Sequence, residues 1–242
     1  MAAGPLSPLH LLQFAALSAL VGGLAAIERK GALQLMLSRP LVLAPLLGWA
    51  LGDARSGLML GVPLELLFLG GVNLGGSIPE NETLLAGALT AALVPAGLIG
   101  GRGVDPALAA LGLALFYPLA VVGRRLERAA ELRNGALLET VLARVQGGDP
   151  NAVELNLRGL WLPFASAAAI CAACALASPL LAAVRGACGP RVVLGLEGAW
   201  HAVWALAVAC AIRAIRDPRA PAIAAAIAFV ALGAGALFGS LR

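Results

Sequence analysis

Residues 38–76 read SRPLVLAPLLGWALGDARSGLMLGVPLELLFLGGVNLGG and contain two apolar runs that are unusually short and close together. The runs, 40–52 and 57–74, carry internal prolines and glycines and are separated by the polar residues Asp53 and Arg55. A straight helix needs roughly 20 residues to cross about 30 Å of hydrocarbon, so the first run is too short to span as one. Short or broken apolar segments survive at membrane depth only where protein or a watery cavity satisfies their backbone groups. Such segments are typical of the binding sites of transporters.

The rest of the chain is also apolar. Of its 242 residues, 60% are hydrophobic and 12% are charged, whereas a soluble domain carries about 25% charged residues. A bilayer can cover this much apolar surface and soluble packing cannot; the runs also lack the alternation of barrel strands. The sequence predicts an all-α polytopic integral membrane protein with about seven to nine hydrophobic segments, including short, broken or re-entrant helices. Besides the two runs above, the segments lie at about 9–27, 83–100, 106–123, 160–183, 191–212 and 220–240.

The first of these segments, 9–27, resembles a signal peptide only in part. It has no basic region before it, and its apolar run is long. We therefore expect a membrane span that is retained.

Residues 124–158 differ from their surroundings because they hold six basic and five acidic residues. Their apolar positions have a helical period as far as Val145, and the glycines, aspartate and proline at 147–150 then break the pattern. We predict an amphipathic, cytoplasmic connector between an N-terminal membrane region, 1–123, and a C-terminal membrane region, 159–242. A solvated connector and an intersubunit contact are equally compatible with it. The basic residues lie between apolar runs, where orientation signals belong, so we expect no binding to nucleic acid.

Glu65, in GVPLELLFLGG, is the most informative polar residue. A carboxylate at membrane depth costs roughly 2.5–3.5 kcal/mol, so it should be paired, protonated or turned toward a cavity. It is either a ligand for substrate hydroxyls or a cation, or a structural acceptor in a broken helix. Asn73 follows eight residues later, which is about two turns of a continuous helix, so the two side chains would share a face. Together they offer acceptors and donors for sugar hydroxyls, or they bond nearby backbone groups.

The polar residues from Ser77 to Thr83 lead into the next helix. Asn81 or Thr83 is expected to cap that helix, and Glu82 suits the positive end of its dipole. A polar loop at membrane depth would also contact the substrate. We therefore include Ser77 and Asn81 among the predicted substrate-binding residues.

Other charged residues of the N-terminal half are assigned to membrane interfaces. Glu28, Arg29 and Lys30 are predicted to form an interfacial loop, and Asp53 with Arg55 is predicted to form a turn at the membrane surface.

Two constellations in the C-terminal half carry alternatives. Glu197 and His201 would share a helix face, as a proton-handling pair or as an interfacial pair beside Trp200. Cys171 and Cys174 have redox or zinc spacing, but they lie within an alanine-rich run and are predicted to pack helices. The sequence holds no catalytic triad, nucleotide-binding loop or metal-ligand cluster, so we expect neither an enzyme, nor a metal, nor a cofactor.

The N-terminal half resembles the membrane IIC subunit of mannose/fructose/sorbose-type phosphotransferase systems. Two sequence blocks carry the resemblance, one with the pattern RP…P-L-x-G…L-G-D and one with the pattern G-x-x-L-E-x-x-x-L-G-x-x-N-x-G. In this chain they are Arg39-Pro40, Gly48 and 51–53, followed by Gly61, Leu64-Glu65, 69–70, Asn73 and Gly75.

The resemblance implies a permease subunit of the cell inner membrane. Such a IIC subunit pairs with a second membrane subunit, IID, and carries a hexose through the bilayer by an elevator-like movement of a core domain. Cytoplasmic IIA and IIB subunits relay phosphate from phosphoenolpyruvate, and IIB phosphorylates the sugar. The resemblance also implies an oligomer, and it favours Glu65 and Asn73 as the principal sugar ligands. An ion- or proton-coupled transporter of a small polar solute and a non-transporting membrane sensor are the alternatives.

Overall fold

The structure is a computed structural model, which describes residues 7–30, 35–69, 79–147, 152–215 and four positions between 219 and 225. Within these residues the chain forms nine α-helices and no strand. In chain order they are α1 (Pro8–Lys30), α2 (Pro40–Ala50), α3 (Ala54–Phe68), α4 (Glu82–Ile99), α5 (Pro106–Phe116), α6 (Pro118–Gln146), α7 (Ala152–Leu176), α8 (Ser178–Ala187) and α9 (Pro190–Ala214).

Helix α4 is the centre of the molecule. Every residue from Glu82 to Gly97 is buried, and α4 packs against α1, α2, α3, α5, α6, α7 and α8. Five stretches of the described chain are helical, long and apolar enough to cross a membrane, and α4 is one of them. The predicted all-helical membrane class is confirmed; the number of segments stays a prediction, because 220–240 lies almost wholly outside the described residues.

Helices α2 and α3 form a short hairpin that packs against α4. They have 11 and 15 residues, which gives lengths of about 16 and 22 Å, less than the hydrocarbon thickness. Gly52 turns the chain with a φ of +98°, and Asp53 caps α3 by accepting a hydrogen bond from the Ser56 N–H at 3.0 Å. The predicted turn at Asp53 is confirmed, and so are the short helices on either side of it.

Three of the predicted apolar segments contain a helix end. Helix α3 ends at Phe68, inside the segment 57–74, whose last five residues lie outside the described residues. The segment 106–123 is interrupted at Tyr117, where Pro118 starts α6, and the segment 160–183 is interrupted at Ala177 between α7 and α8. Proline has no N–H to donate, so Pro118 interrupts the helical hydrogen bonding. The backbone of Tyr117 stays in the α region, and 106–146 still counts as one of the five stretches.

The helix predicted in the connector is confirmed as the second part of α6, which ends at Gln146, next to the predicted break. Its amphipathic and cytoplasmic character stays a prediction. Its role, as a solvated connector or as an intersubunit contact, stays open.

Glycine allows the hairpin to pack closely. A β-carbon on Gly57 would collide with the carbonyl oxygen of Ala44 and lie 2.8 Å from Cα of Pro45. We expect Gly57→Ala to lower the free energy of unfolding by about 1–3 kcal/mol, because backbone atoms of α2 would have to move. Thermal unfolding of the purified protein in detergent measures this. Gly135→Ala, on α6 with no heavy atom within 4 Å of its added carbon, is the control and should be neutral or stabilising; equal losses in both variants would contradict the packing argument.

Candidate functional site

Five charged side chains meet near the start of α4, where α1, α2, α3 and α6 all approach it. We call them the charged cluster; its members are Arg29, Arg39, Glu65, Glu82 and Glu127. Three carboxylates and two guanidinium groups are thereby held together among apolar helices. Pairing of this kind offsets much of the cost of burying each charge, since an unpaired one would be far more expensive.

Glu65 is bound mainly by Arg39. Nη2 and Nε of Arg39 lie 2.6 and 2.9 Å from Oε1 of Glu65. The second carboxylate oxygen, Oε2, accepts one long bond of 3.4 Å from the Leu41 N–H. The Glu65 side chain is 13% exposed and that of Arg39 is 37% exposed, so the pair lies at the edge of the cluster and can be reached. Glu65 was predicted to be paired, protonated or turned toward a cavity, and the structure shows that it is paired.

Arg29 joins three helices. Its Nη1 lies 2.5 Å from Oε1 of Glu82 and 3.0 Å from the Thr83 hydroxyl, both on α4. Its Nε lies 3.0 Å from Oε1 of Glu127 on α6. The predicted interfacial loop at 28–30 is therefore wrong, because these residues are the last turn of α1. Arg29 is 16% exposed, and the neighbouring Glu28 is buried and accepts the Ser38 N–H at 2.9 Å.

Asn81 is the cap of α4. Its Oδ1 accepts the Leu84 N–H at 2.7 Å, and its Nδ2 donates to Oε1 of Glu127 at 2.7 Å. The capping prediction is confirmed. Close approach of α6 depends on Gly123, where a β-carbon would lie 2.6 Å from Cβ of Asn81.

A small cavity borders Asn81 and Glu127, with a volume of about 30 Å³. A water needs roughly 10–15 Å³ measured in this way, so the cavity suits one or two waters and not a hexose. A sugar that reached Asn81 would therefore have to open the helices or displace existing bonds. Asn73 and Ser77, the other two predicted ligands, lie outside the described residues.

A second polar group lies at the other end of α4. Asp105 caps α5 by accepting the Leu108 N–H at 2.7 Å. Its two carboxylate oxygens also accept from Arg185 on α8, at 2.7 Å from Nη2 and 3.2 Å from Nε. Burial opposes ionisation of Asp105, but the hydrogen bonds from Arg185 and Leu108, with the charges of Arg185 and Arg102, outweigh it. The pKa of Asp105 consequently lies below its ordinary value.

We expect Asp105→Asn to destabilise the protein at pH 7 by about 1–2 kcal/mol, because asparagine keeps the cap but loses the charge. A carboxyl whose pKa falls on folding stabilises above its ordinary pKa, and that stabilisation is lost as the pH drops through the lower folded value. The difference in melting temperature between wild type and variant should therefore shrink below about pH 4. A difference that stayed constant from pH 7 to pH 3 would contradict the ion-pair explanation.

Glu197 and His201 do not pair through their side chains in the structure. Nδ1 of His201 lies 2.7 Å from the backbone oxygen of Glu197, one turn earlier on α9. Trp200 is 3% exposed and packs in the core. The predicted interfacial setting beside Trp200 and Trp204 stays a prediction.

Cys171 packs as predicted. It is buried as a free thiol between α1 and α4, where β-carbons on Gly22 and Gly87 would lie 2.5 and 3.2 Å from its sulfur. In the part of the chain that the structure describes, no group of three or more His, Cys, Asp or Glu residues is arranged to hold a metal.

The sequence of this apolar helical chain matches a known family of membrane proteins. The family model described as the PTS system sorbose-specific IIC component matches residues 12–237. The chain belongs to this family. The predicted family is confirmed, and with it the prediction of a multi-pass protein of the cell inner membrane.

Curated relatives of this IIC chain match over part of their length. The PTS system sorbose-specific EIIC component of Klebsiella pneumoniae is 35% identical over 86 residues, which are 36% of this chain and 29% of the relative. The protein of the same description from Lacticaseibacillus casei is 30% identical over 128 residues, 52% of this chain and 40% of the relative. The chain thus spans between 29% and 40% of the length of these two relatives.

The fold of the IIC chain is also found in a solved structure. A chain in the cryo-EM structure of the mannose transporter ManYZ with microcin E492 superposes with a TM-score of 0.57 at 21% identity. The match covers 98% of this chain and 94% of that chain. At this identity the likeness establishes the shared fold alone.

Sequence reasoning missed most of the charged cluster of this IIC chain. Arg29, Arg39 and Glu127 lie next to apolar segments, and charges at such places are read first as interfacial. A signal was available for Arg39, which directly precedes the run 40–52 that is too short to span the bilayer. Proximity of α1, α2 and α6 at one end of α4 is a tertiary property, and spacing along the chain does not contain it.

Proposed function

We propose that the protein is the sugar-translocating IIC subunit of a mannose-type phosphotransferase system, carrying a hexose across the cell membrane. The observation that supports it most is Glu65 on a short hairpin, with Oε1 held by Arg39 and Oε2 bonded only weakly. A carboxylate oxygen with spare acceptor capacity beside a guanidinium donor suits vicinal sugar hydroxyls, which both donate and accept. Family membership over 12–237 supports the same function.

The proposed sugar ligands are Glu65, Asn73, Ser77 and Asn81. Glu65 would accept from hydroxyl groups. Asn73 and Ser77 would contribute from the segment between α3 and α4. Asn81 would bind the sugar only if its hydrogen bonds to Leu84 and Glu127 were displaced. It therefore has the least structural support of the four proposed ligands.

The transport cycle that we propose needs other chains. The IIC subunit would pair with a IID membrane subunit in an oligomer, and IIA and IIB subunits in the cytoplasm would supply the phosphoryl group. This subunit would itself be a non-enzymatic carrier without a cofactor. Elevator-like movement of a core domain would carry the sugar, and 124–158 would connect the membrane regions 1–123 and 159–242 on the cytoplasmic side.

The test is uptake in cells that express this chain with its IID, IIA and IIB partners. Mannose, fructose, sorbose, glucose and amino sugars are supplied in turn, with and without phosphoenolpyruvate. Accumulation of a phosphorylated sugar that requires both phosphoenolpyruvate and this chain is the expected result. Uptake that needs neither would contradict the proposal.

One observation favours a proton-coupled transporter as the second candidate. The charged cluster places three carboxylates among apolar helices, and carboxylates at membrane depth are residues that proton relays use. Such a protein would accumulate unmodified solute and stop when the proton gradient is collapsed. The same uptake panel with a protonophore separates the two candidates.

A further inference from the structure

A large cavity lies at the end of α4 opposite the charged cluster. Its volume is about 680 Å³, and it is bounded by the end of α4, the start of α5, α8 and the start of α9. Small-molecule sites occupy about 300–1,000 Å³, so this one has room for a hexose with its hydration water. The polar side chains that line it are Arg102, Asp105, Arg185 and Glu197, and apolar walls come from residues such as Leu108.

Two of these side chains are fixed and two are available. Asp105 and Arg185 hold each other in a bidentate pair at 2.7 and 3.2 Å. Among the described residues, the side chains of Arg102 and Glu197 make no hydrogen bond and no ion pair, although their charges act on Asp105 and Arg185. Arg102 is exposed and Glu197 is half-buried. The cavity therefore presents one guanidinium group and one carboxylate with unused hydrogen-bonding capacity, beside the ion pair of Asp105 and Arg185.

The charges of the cavity select the class of ligand. Two guanidinium groups and two carboxylates sum to zero, so neither an anion such as a sugar phosphate nor a cation gains net attraction. A neutral ligand with many hydroxyls can accept from Arg102 and donate to Glu197 at once. An apolar wall suits the C–H face of a pyranose ring.

The position of the cavity assigns it to one side of the membrane. Helix α4 has 18 residues, which is about 27 Å, so its two ends lie at opposite faces of the bilayer. The charged cluster lies at the end from which α6 continues into its basic stretch. Basic segments are retained in the cytoplasm, and the cavity then faces the outside.

We propose that this cavity is an entry site for free hexose on the extracytoplasmic side, with Arg102 and Glu197 as its ligands. The inference rests on the proposed function, because it makes the cavity the place where the transported sugar is first bound. The cavity is separate from Glu65, which belongs to the charged cluster at the other end of α4.

Cys188 provides the test because it lines the cavity and is half-exposed, whereas Cys171 and Cys174 are buried. In a Cys210→Ala background, a membrane-impermeant maleimide is added to intact cells that co-express the partner subunits. We expect Cys188 to react, and the transported hexose to slow the reaction at least tenfold at saturation. Arg102→Ala with Glu197→Gln should raise the half-protecting sugar concentration at least tenfold.

Glu65→Gln separates direct protection from a shape change caused by sugar bound elsewhere. If the sugar protects Cys188 from within the cavity, Glu65→Gln leaves the half-protecting concentration unchanged. Loss of protection in Glu65→Gln would overturn the inference. So would a Cys188 that does not react from outside, or one that reacts equally with and without sugar while phosphoenolpyruvate-dependent uptake proceeds. If hexose protected Cys188 but no phosphoenolpyruvate-dependent uptake occurred, the proposed function would be contradicted. The cavity would still be a hexose-binding site.

Discussion

Phosphoenolpyruvate-dependent sugar uptake is expected to fall at least tenfold when Glu65 is replaced by glutamine. Glutamine fills the same space but lacks the charge that holds Arg39 at 2.6 Å. Arg39 already lies 3.9 Å from Oε1 of Glu82, so it should turn toward Glu82 and leave the proposed sugar site. A charge-assisted hydrogen bond contributes about 1.5–3 kcal/mol, and the partial exposure of Arg39 moves the expectation to the lower end. About 1.4 kcal/mol corresponds to a factor of ten.

Glu80→Gln is the matched control for this experiment. The Glu80 carboxylate also accepts a hydrogen bond, from the neutral Tyr117 hydroxyl at 2.8 Å, in an exposed pair outside the charged cluster. Its uptake should stay within about twofold of wild type, since exposed polar pairs contribute little. Both variants are compared at equal amounts of protein in the membrane. Unchanged uptake in Glu65→Gln would remove that residue from the site.

The second large effect is on stability, at Arg29. Replacing Arg29 by methionine would leave the carboxylates of Glu82 and Glu127, 11% and 9% exposed, without the cation they share. Removing one partner of a buried charge pair costs about 3–5 kcal/mol. For a chain of this length we expect a fall in melting temperature on the order of 10 °C. Tryptophan fluorescence during thermal unfolding in detergent measures it.

Three further variants test the cause of that loss. Arg128→Met removes an exposed arginine from α6 and should change stability by less than about 0.5 kcal/mol. Arg29→Lys keeps the charge but not the planar fork, so an intermediate loss is expected. Combining Arg29→Met with Glu82→Gln and Glu127→Gln removes the two buried carboxylates that Arg29 binds and should recover part of the loss. If Arg29→Met were as stable as Arg128→Met, the cluster would not stabilise the fold.

Residue types were enough to predict several local features of the site. Asn81 was expected to cap α4 because a short polar side chain before an apolar helix satisfies its first N–H groups. Glu65 was expected to be paired because an isolated carboxylate among leucines is too costly. Both predictions depend on nearest neighbours along the chain or on the cost of a single charge. The partner of Glu65 depends on neither, and Arg39 lies 26 residues away.

Composition and segment length together established an α-helical membrane protein with short helices near Glu65, because the bilayer restricts which backbones can cross it. Two sequence motifs, the second of which contains Glu65, indicated the family. The packing of the other helices around α4 determines which charged side chains meet. Arg29 from α1, Arg39 from the start of α2 and Glu127 from α6 converge at one end of it, while Asp105 and Arg185 meet at the other. Nothing in residue spacing encodes this convergence, because helix contacts depend on which apolar faces fit together in three dimensions.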